Sequence, residues 1–138
     1  MTTEVQSVIN RGSNDSLLQL VASLTDKGIE LPLTLFVNGT IISGILIGRK
    51  KYLDQFVSQF TTGWDDESVN ILRDAFGLNE NPEESEDAGE IDNIRFVHLR
   101  DAKVYSPGQE PLPANGLLWR GKIAEVNGFS YGMFSKAQ

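Results

Sequence analysis

The sequence predicts an α+β fold: a small five-stranded bent sheet or barrel, with an N-terminal helix and an inserted helical segment between strands 2 and 3. Three observations predict it. The stretch 31–48 alternates apolar and polar residues about a tight turn signal. Strand character returns over 94–135. Helical periodicity governs 14–27 and 50–77 instead.

Taken in order, residues 1–13 are polar and read as a flexible N-terminus. Asn14 or Asp15 offers a helix cap. Leu17, Leu20, Val21 and Leu24 then recur at helical spacing as one apolar face, and Gly28 suits the stop. From Leu31 the period changes to two: Leu31, Leu33, Leu35 and Val37 point one way. Asn38-Gly39 accepts positive φ at both central turn positions and predicts a hairpin. Gly44 and Gly48 in the return strand predict a bulge or sharp bending. Tyr52, Phe56 and Phe60 lie four apart beside Leu53 and Val57. Asp65 or Asp66 caps a further helix with Val69, Leu72 and Phe76 inward, ended by Gly77.

Residues 79–92 read NENPEESEDAGEID and hold seven acids, Glu80, Glu83, Glu84, Glu86, Asp87, Glu90 and Asp92, with no base and no aromatic residue. This composition predicts a disordered acidic loop. Three further strands fill 94–135. A loop over Ser106–Asn115 precedes a long strand Gly116–Val126, and Asn127-Gly128 predicts a second tight hairpin into Phe129–Phe134. Short, bent strands with open edges favour closure into a small barrel.

The chain of 138 residues, 40% hydrophobic, suits a single domain, 1–138. It has no cysteine, which excludes disulfides and thiolate chemistry. No signal peptide is visible at the start, and no apolar run approaches the ~20 residues of a membrane helix, so a cytoplasmic protein without membrane partners is expected. The net charge is −7, but without the seven clustered acids the chain has twelve acids against twelve bases. With no surplus of positive charge, the composition argues against a nucleic-acid partner.

Candidate chemistry is sparse. Gly116-Leu117-Leu118-Trp119-Arg120-Gly121-Lys122 matches the start of a phosphate loop, but Ile123 stands where a hydroxyl must hold magnesium, and the spacer reads as strand. The single histidine, His98, reads as a satisfied structural or surface residue. The acidic segment lacks the regular ligand spacing of a calcium loop. The two glycosylation-like triplets at Asn14 and Asn38 are accidental in a cytoplasmic protein. No catalytic residue, cofactor site or metal site is assigned. Trp119, Arg120, Phe129, Tyr131 and Phe134, around the expected second hairpin, are instead the candidate partner or self-association surface.

Three blocks carry a family resemblance: Val37-Asn38-Gly39-Thr40-Ile41-Ile42-Ser43-Gly44, Phe96-Val97-His98-Leu99-Arg100-Asp101-Ala102-Lys103-Val104-Tyr105, and Trp119-Arg120-Gly121-Lys122-Ile123-Ala124-Glu125-Val126-Asn127-Gly128-Phe129. Together they resemble the gas vesicle accessory proteins of the U type, GvpU, over roughly residues 15–135. The resemblance implies a cytoplasmic, non-catalytic accessory protein. Its partners would be gas vesicle proteins and further copies of itself, and it would affect vesicle clustering or organisation. The hairpin at Asn38-Gly39, Leu99-Arg100-Asp101-Ala102 and Trp119-Arg120-Gly121 also resemble an Sm-like or SH3-like sheet. The Sm-like alternative implies an RNA-binding module, whose contacts would fall to Arg49, Lys50, Lys51, Arg95, Arg100, Arg120 and Lys122.

Overall fold

The computed structural model describes residues 14–79 and 91–133. Helix α1 (Ser16–Thr25) leads into strands β1 (Leu31–Val37) and β2 (Thr40–Ile47). Helices α2 (Arg49–Phe60) and α3 (Asp66–Ala75) follow. Strands β3 (Phe96–Tyr105), β4 (Leu112–Lys122) and β5 (Gly128–Tyr131) complete the order. The expected flexible segment 1–13 lies outside the described residues, as does nearly all of the acidic loop. Its described end residues are Asn79, whose Nδ2 donates to Asn70 Oδ1 at 3.1 Å, and the short 3-10 turn Ile91–Asn93.

Local chemistry sets the helix starts. Asp15 Oδ1 accepts from the Leu17 and Leu18 amides at 3.0 and 3.2 Å, and Asp65 Oδ1 from the Ser68 amide at 3.1 Å. Helix α2 begins after Gly48, which has no side chain to cap it, and the Asp26 carboxylate accepts from the Arg49 amide instead. The end of α1 therefore fixes the start of α2. In α1 the buried residues are Leu18, Gln19, Ala22 and Thr25, whereas Leu17 and Leu20 are exposed. The helix carries two apolar stripes, and tertiary packing buries the one that periodicity passed over. Gln19 locks that choice, since its Nε2 donates to the Ile94 carbonyl at 2.8 Å.

The Asn38-Gly39 turn has φ of 50° and 82°, as its type requires, and sets Val37 opposite Thr40. All strand pairings are antiparallel, in the order β4-β3-β2-β1-β5. Three expectations are corrected here. Strand β4 starts at Leu112, inside the expected loop; an edge position tolerates Pro113, which has no amide to donate. It ends at Lys122, where the 3-10 turn Ile123–Glu125 takes the chain off the strand with Ile123 fully buried. Asn127-Gly128 is not a hairpin turn, because β5 pairs with β1 rather than β4. Asn127 makes that switch: its amide donates to the Phe36 carbonyl at 2.8 Å, and its Oδ1 accepts from the Asn38 amide at 2.6 Å. The sheet is the open, bent alternative rather than a closed barrel; among the described residues no pairing joins β4 to β5.

A bulge controls the middle of the sheet. Register shifts between Ser43 and Ile45 on β2, and between Leu99 and Ala102 on β3. Asp101, at φ 53°, is the residue inserted there. Val97 and Leu99 face the main core before it; Ala102 and Val104 face the same core after it. The extra residue reverses the alternation and keeps both halves of β3 facing inward. Neighbouring backbones close tightly around it. A Cβ on Gly44 would lie 2.9 Å from the Arg100 carbonyl oxygen, and one on Gly116 would lie 2.8 Å from Asp101 backbone carbons.

The sheet is covered on both faces. Leu18 and Ala22 of α1 pack with Leu33, Leu35, Ile42, Leu46, Val97, Leu99 and Ile123 on one side. Ile47, Tyr52, Leu53, Val57 and Leu78 form the cluster on the other, with Val69 and Leu72 of α3 and Phe76 just past its end against it. The inserted helices thus pack on the sheet. Each large apolar side chain buried in these clusters contributes about 1.5–3 kcal/mol.

Gly116→Ala combines backbone strain at φ 78° with overlap onto Asp101. The substitution should cost about 2–4 kcal/mol in urea denaturation. Asp101→Gly should be tolerated, because glycine adopts positive φ freely.

Candidate functional site

The predicted surface residues divide between opposite edges of the sheet. Trp119 and Arg120 lie on β4; Phe129 and Tyr131 lie on β5, at the other end of the strand order. Phe134 lies outside the described residues. Trp119 faces inward against the main core, and its ring folds back over Gly121 into the space a Cβ would occupy. Phe129 also packs against the main core. Tyr131 is 75% exposed and is the one described aromatic of this group left largely to solvent.

Arg120 has a defined setting. Its guanidinium lies 3.7 Å from the centroid of the Phe96 ring, and its Nε donates to His98 Nε2 at 3.2 Å. His98 sits opposite it across the β3–β4 pair and is 5% exposed. The Tyr52 ring from α2 lies 4.8 Å from the His98 ring. Burial first, then the positive charges of Arg120 and Arg49, push the His98 imidazole down to about 4. Neutral His98 accepts at Nε2 and so carries its proton on Nδ1. The histidine joins β3, β4 and α2; of the structural and surface readings the sequence left open, the structure shows the structural one.

The cations considered for RNA contact are partly engaged within the protein. Lys51 Nζ and Arg100 NH2 both reach Glu30, at 2.8 and 2.9 Å, and Arg100 NH1 reaches Asp101 at 2.5 Å. The hydrogen bonds from Lys51 and Arg100 hold the Glu30 carboxyl below the usual carboxylate range. The phosphate-loop-like run beginning at Gly116 lies in β4, with Lys122 as its last residue and Ile123 beginning the 3-10 turn.

Two exposed apolar features lie outside the predicted surface. Tyr52, Phe56, Phe60 and Trp64 form a continuous ring series, with centroids 6.1, 5.8 and 5.7 Å apart, that runs from the buried His98 out to solvent. Phe60 and Trp64, at its outer end, are exposed. The four-residue spacing was legible, but which end emerges depends on how α2 lies on the sheet. The second feature is the outer stripe of α1, Leu17 and Leu20.

These observations define a class: a small α+β protein with an open five-stranded sheet, helices on both faces, and apolar residues exposed at its edges and on its helices. The family model described as gas vesicle protein GvpU-like matches residues 15–134. The chain belongs to that family and is a gas vesicle-related protein. No curated protein and no solved structure matches it. No helix among the described residues is long and apolar enough to cross a membrane.

The His98 setting predicts a pH effect of definite sign. The folded-state value of about 4 lies below the ordinary 6.5, so the unfolded chain binds the proton more readily. The stabilisation is present above pH 6.5 and is lost as pH falls through 4, by on the order of 3 kcal/mol. Urea unfolding measured between pH 7 and 5 should show a slope that His98→Gln flattens.

Proposed function

We propose that the protein is a non-catalytic, cytoplasmic accessory protein of gas vesicles that self-associates and so affects how vesicles cluster or are arranged. Its partners are gas vesicle proteins and further copies of itself. The observation that carries this reading is the family match over residues 15–134, on a sheet whose end strands, β4 and β5, each pair with one strand only among the described residues.

An unpaired edge is a row of amides and carbonyls able to accept a strand from another molecule. Strand β4 offers eleven residues of edge, with Leu112 and Leu117 exposed on it. Strand β5 offers a shorter edge, with Tyr131 exposed. Because the two edges differ, β4 of one copy on β5 of the next is a head-to-tail contact, which continues from copy to copy. In this reading Trp119 and Phe129 hold the edges in shape from the core side, while Arg120, Tyr131 and Phe134 belong to the contact.

The acidic segment Glu80, Glu83, Glu84, Glu86, Asp87, Glu90 and Asp92 modulates the association. Copies that each carry this charge repel at low salt. The repulsion fades once the screening length falls to about 10 Å, near 0.1 M salt.

Three outcomes follow. Purified protein mixed with gas vesicles should be recovered in the buoyant layer, with visible clumping; its absence from that layer at every salt concentration refutes direct contact. Leu112→Lys with Leu117→Lys places charge on the β4 edge and should abolish clumping without lowering the melting temperature, as read by circular dichroism. Replacing the seven acids by Gln and Asn should remove the salt dependence of sedimentation; an unchanged dependence assigns the effect elsewhere.

A further inference from the structure

We propose that copies join through a parallel strand pair: β5 of one copy lies along residues 117–122 of β4 of the next, with the α1 faces of both sheets on the same side. This inference rests on the self-association reading above and adds to it the segment, the direction and the face of the contact.

Direction and face follow from the strand pairings. Each neighbouring pair in the order β4-β3-β2-β1-β5 is antiparallel, so β4 and β5 run the same way. Residues directly opposite one another share a face. Leu117 stands opposite Ala102 and Trp119 opposite Leu99, while Phe129 stands opposite Leu35 and Tyr131 opposite Leu33. Those four partners all belong to the main core beneath α1. The exposed side chains Leu117 and Tyr131 therefore sit on one face of the sheet, at its two ends. The other face of the two end strands differs. On β4 it carries Arg120 and Lys122, opposite His98 and Phe96; on β5 it carries Gly128 and Ser130, opposite Phe36 and Thr34.

Two arrangements set β5 on β4 head to tail. If the added copy keeps its orientation, the strands run parallel and the faces match. Phe129 and Tyr131 then come beside Leu117 and Trp119, while the small Gly128 and Ser130 leave room for Arg120 and Lys122. If the added copy is turned over, the strands run antiparallel and every side chain changes face. Tyr131 then meets the cations, and Leu117 meets only glycine and serine. Burial of both apolar side chains selects the first arrangement and offsets the slightly weaker bonding of a parallel pair.

The position along β4 is also restricted. Between Leu112 and Leu117 four residues of β4 stand against the single Lys103 of β3, and Pro113 among them has no amide to donate. Residues 117–122 lie beyond this irregular stretch and suffice for the four residues of β5. The helices fit the repeat. Five strands at about 4.8 Å advance each copy by about 24 Å. Helices α2 and α3, packed about 10 Å apart, fill about 20 Å of it, and α1 fills less on the other face. The product is a ribbon with α1 of every copy on one side and α2 with α3 on the other, extended by repeating one contact.

The test uses the absence of cysteine from the chain. Leu117→Cys mixed with Tyr131→Cys, one of them carrying a size tag, should give a covalent heterodimer with a short bismaleimide. Neither variant alone should link, because like positions lie a full repeat apart. Lys122→Cys mixed with Tyr131→Cys should not link either, because those positions are on opposite faces. Linking of Lys122→Cys instead of Leu117→Cys shows a turned-over copy and overturns the proposal. Self-linking of Leu117→Cys shows β4 against β4 and also overturns it. If no mixture links while the unaltered protein still sediments as a larger species, the strand contact is refuted and the self-association reading stands. If the unaltered protein is monomeric at every concentration and salt, both readings fail together.

Discussion

The bulge at Asp101 is the constraint on which the sheet depends. One residue beyond the regular count lets Val97 and Leu99 share a core with Ala102 and Val104, although strict alternation would send one pair to the opposite face. The cost is a non-glycine residue at positive φ, which a short polar side chain tolerates better than most. The close approach of Gly44 and Gly116 to the same point ties β2, β3 and β4 into one bend. Loss of that packing would disturb both faces of the sheet at once.

The bend gives each face its own cover. Helix α1 closes the main core, and α2 with α3 closes the second cluster. The two covers are not independent: the carboxylate of Asp26, at the end of α1, accepts the first amide of α2. Polar groups inside this arrangement are satisfied in kind. Thr34 donates to the Gly132 carbonyl at 2.7 Å and lies 3.1 Å from Ser43, while His98 accepts from Arg120. The protein's one histidine thereby joins sheet to helix and is held neutral by the burial that makes it useful there.

The surface follows from the open sheet. Closure into a barrel would have joined β4 to β5 and left no edge. Instead Asn127, held by Phe36 and Asn38, delivers β5 to β1, so that among the described residues β4 and β5 end the sheet as two different edges. The outer leucines of α1 and the Phe60–Trp64 end of the ring series add apolar area left exposed among the described residues. Exposed apolar area of this kind is what protein–protein contacts use, and the self-association proposed for this GvpU-like chain draws on it.

The sequence alone determined the local events. Asp15 and Asp65 cap helices because their side chains reach amides two or three residues away. Asn38-Gly39 turns because both residues accept positive φ, and the alternation of Leu31 to Val37 selects the inward face of β1. The family was legible in blocks that correspond to β1–β2, β3 and the end of β4 running into β5. Tertiary structure alone decided which stripe of α1 is buried, since both stripes satisfy helical periodicity and the packing of Leu18 and Ala22 into the main core, with the Gln19–Ile94 bond, selects one. It also decided the partner of β5 and the openness of the sheet. Those outcomes rest on bonds such as Asn38 to Asn127, 89 residues apart, and periodicity within a short window carries no record of contacts at that range.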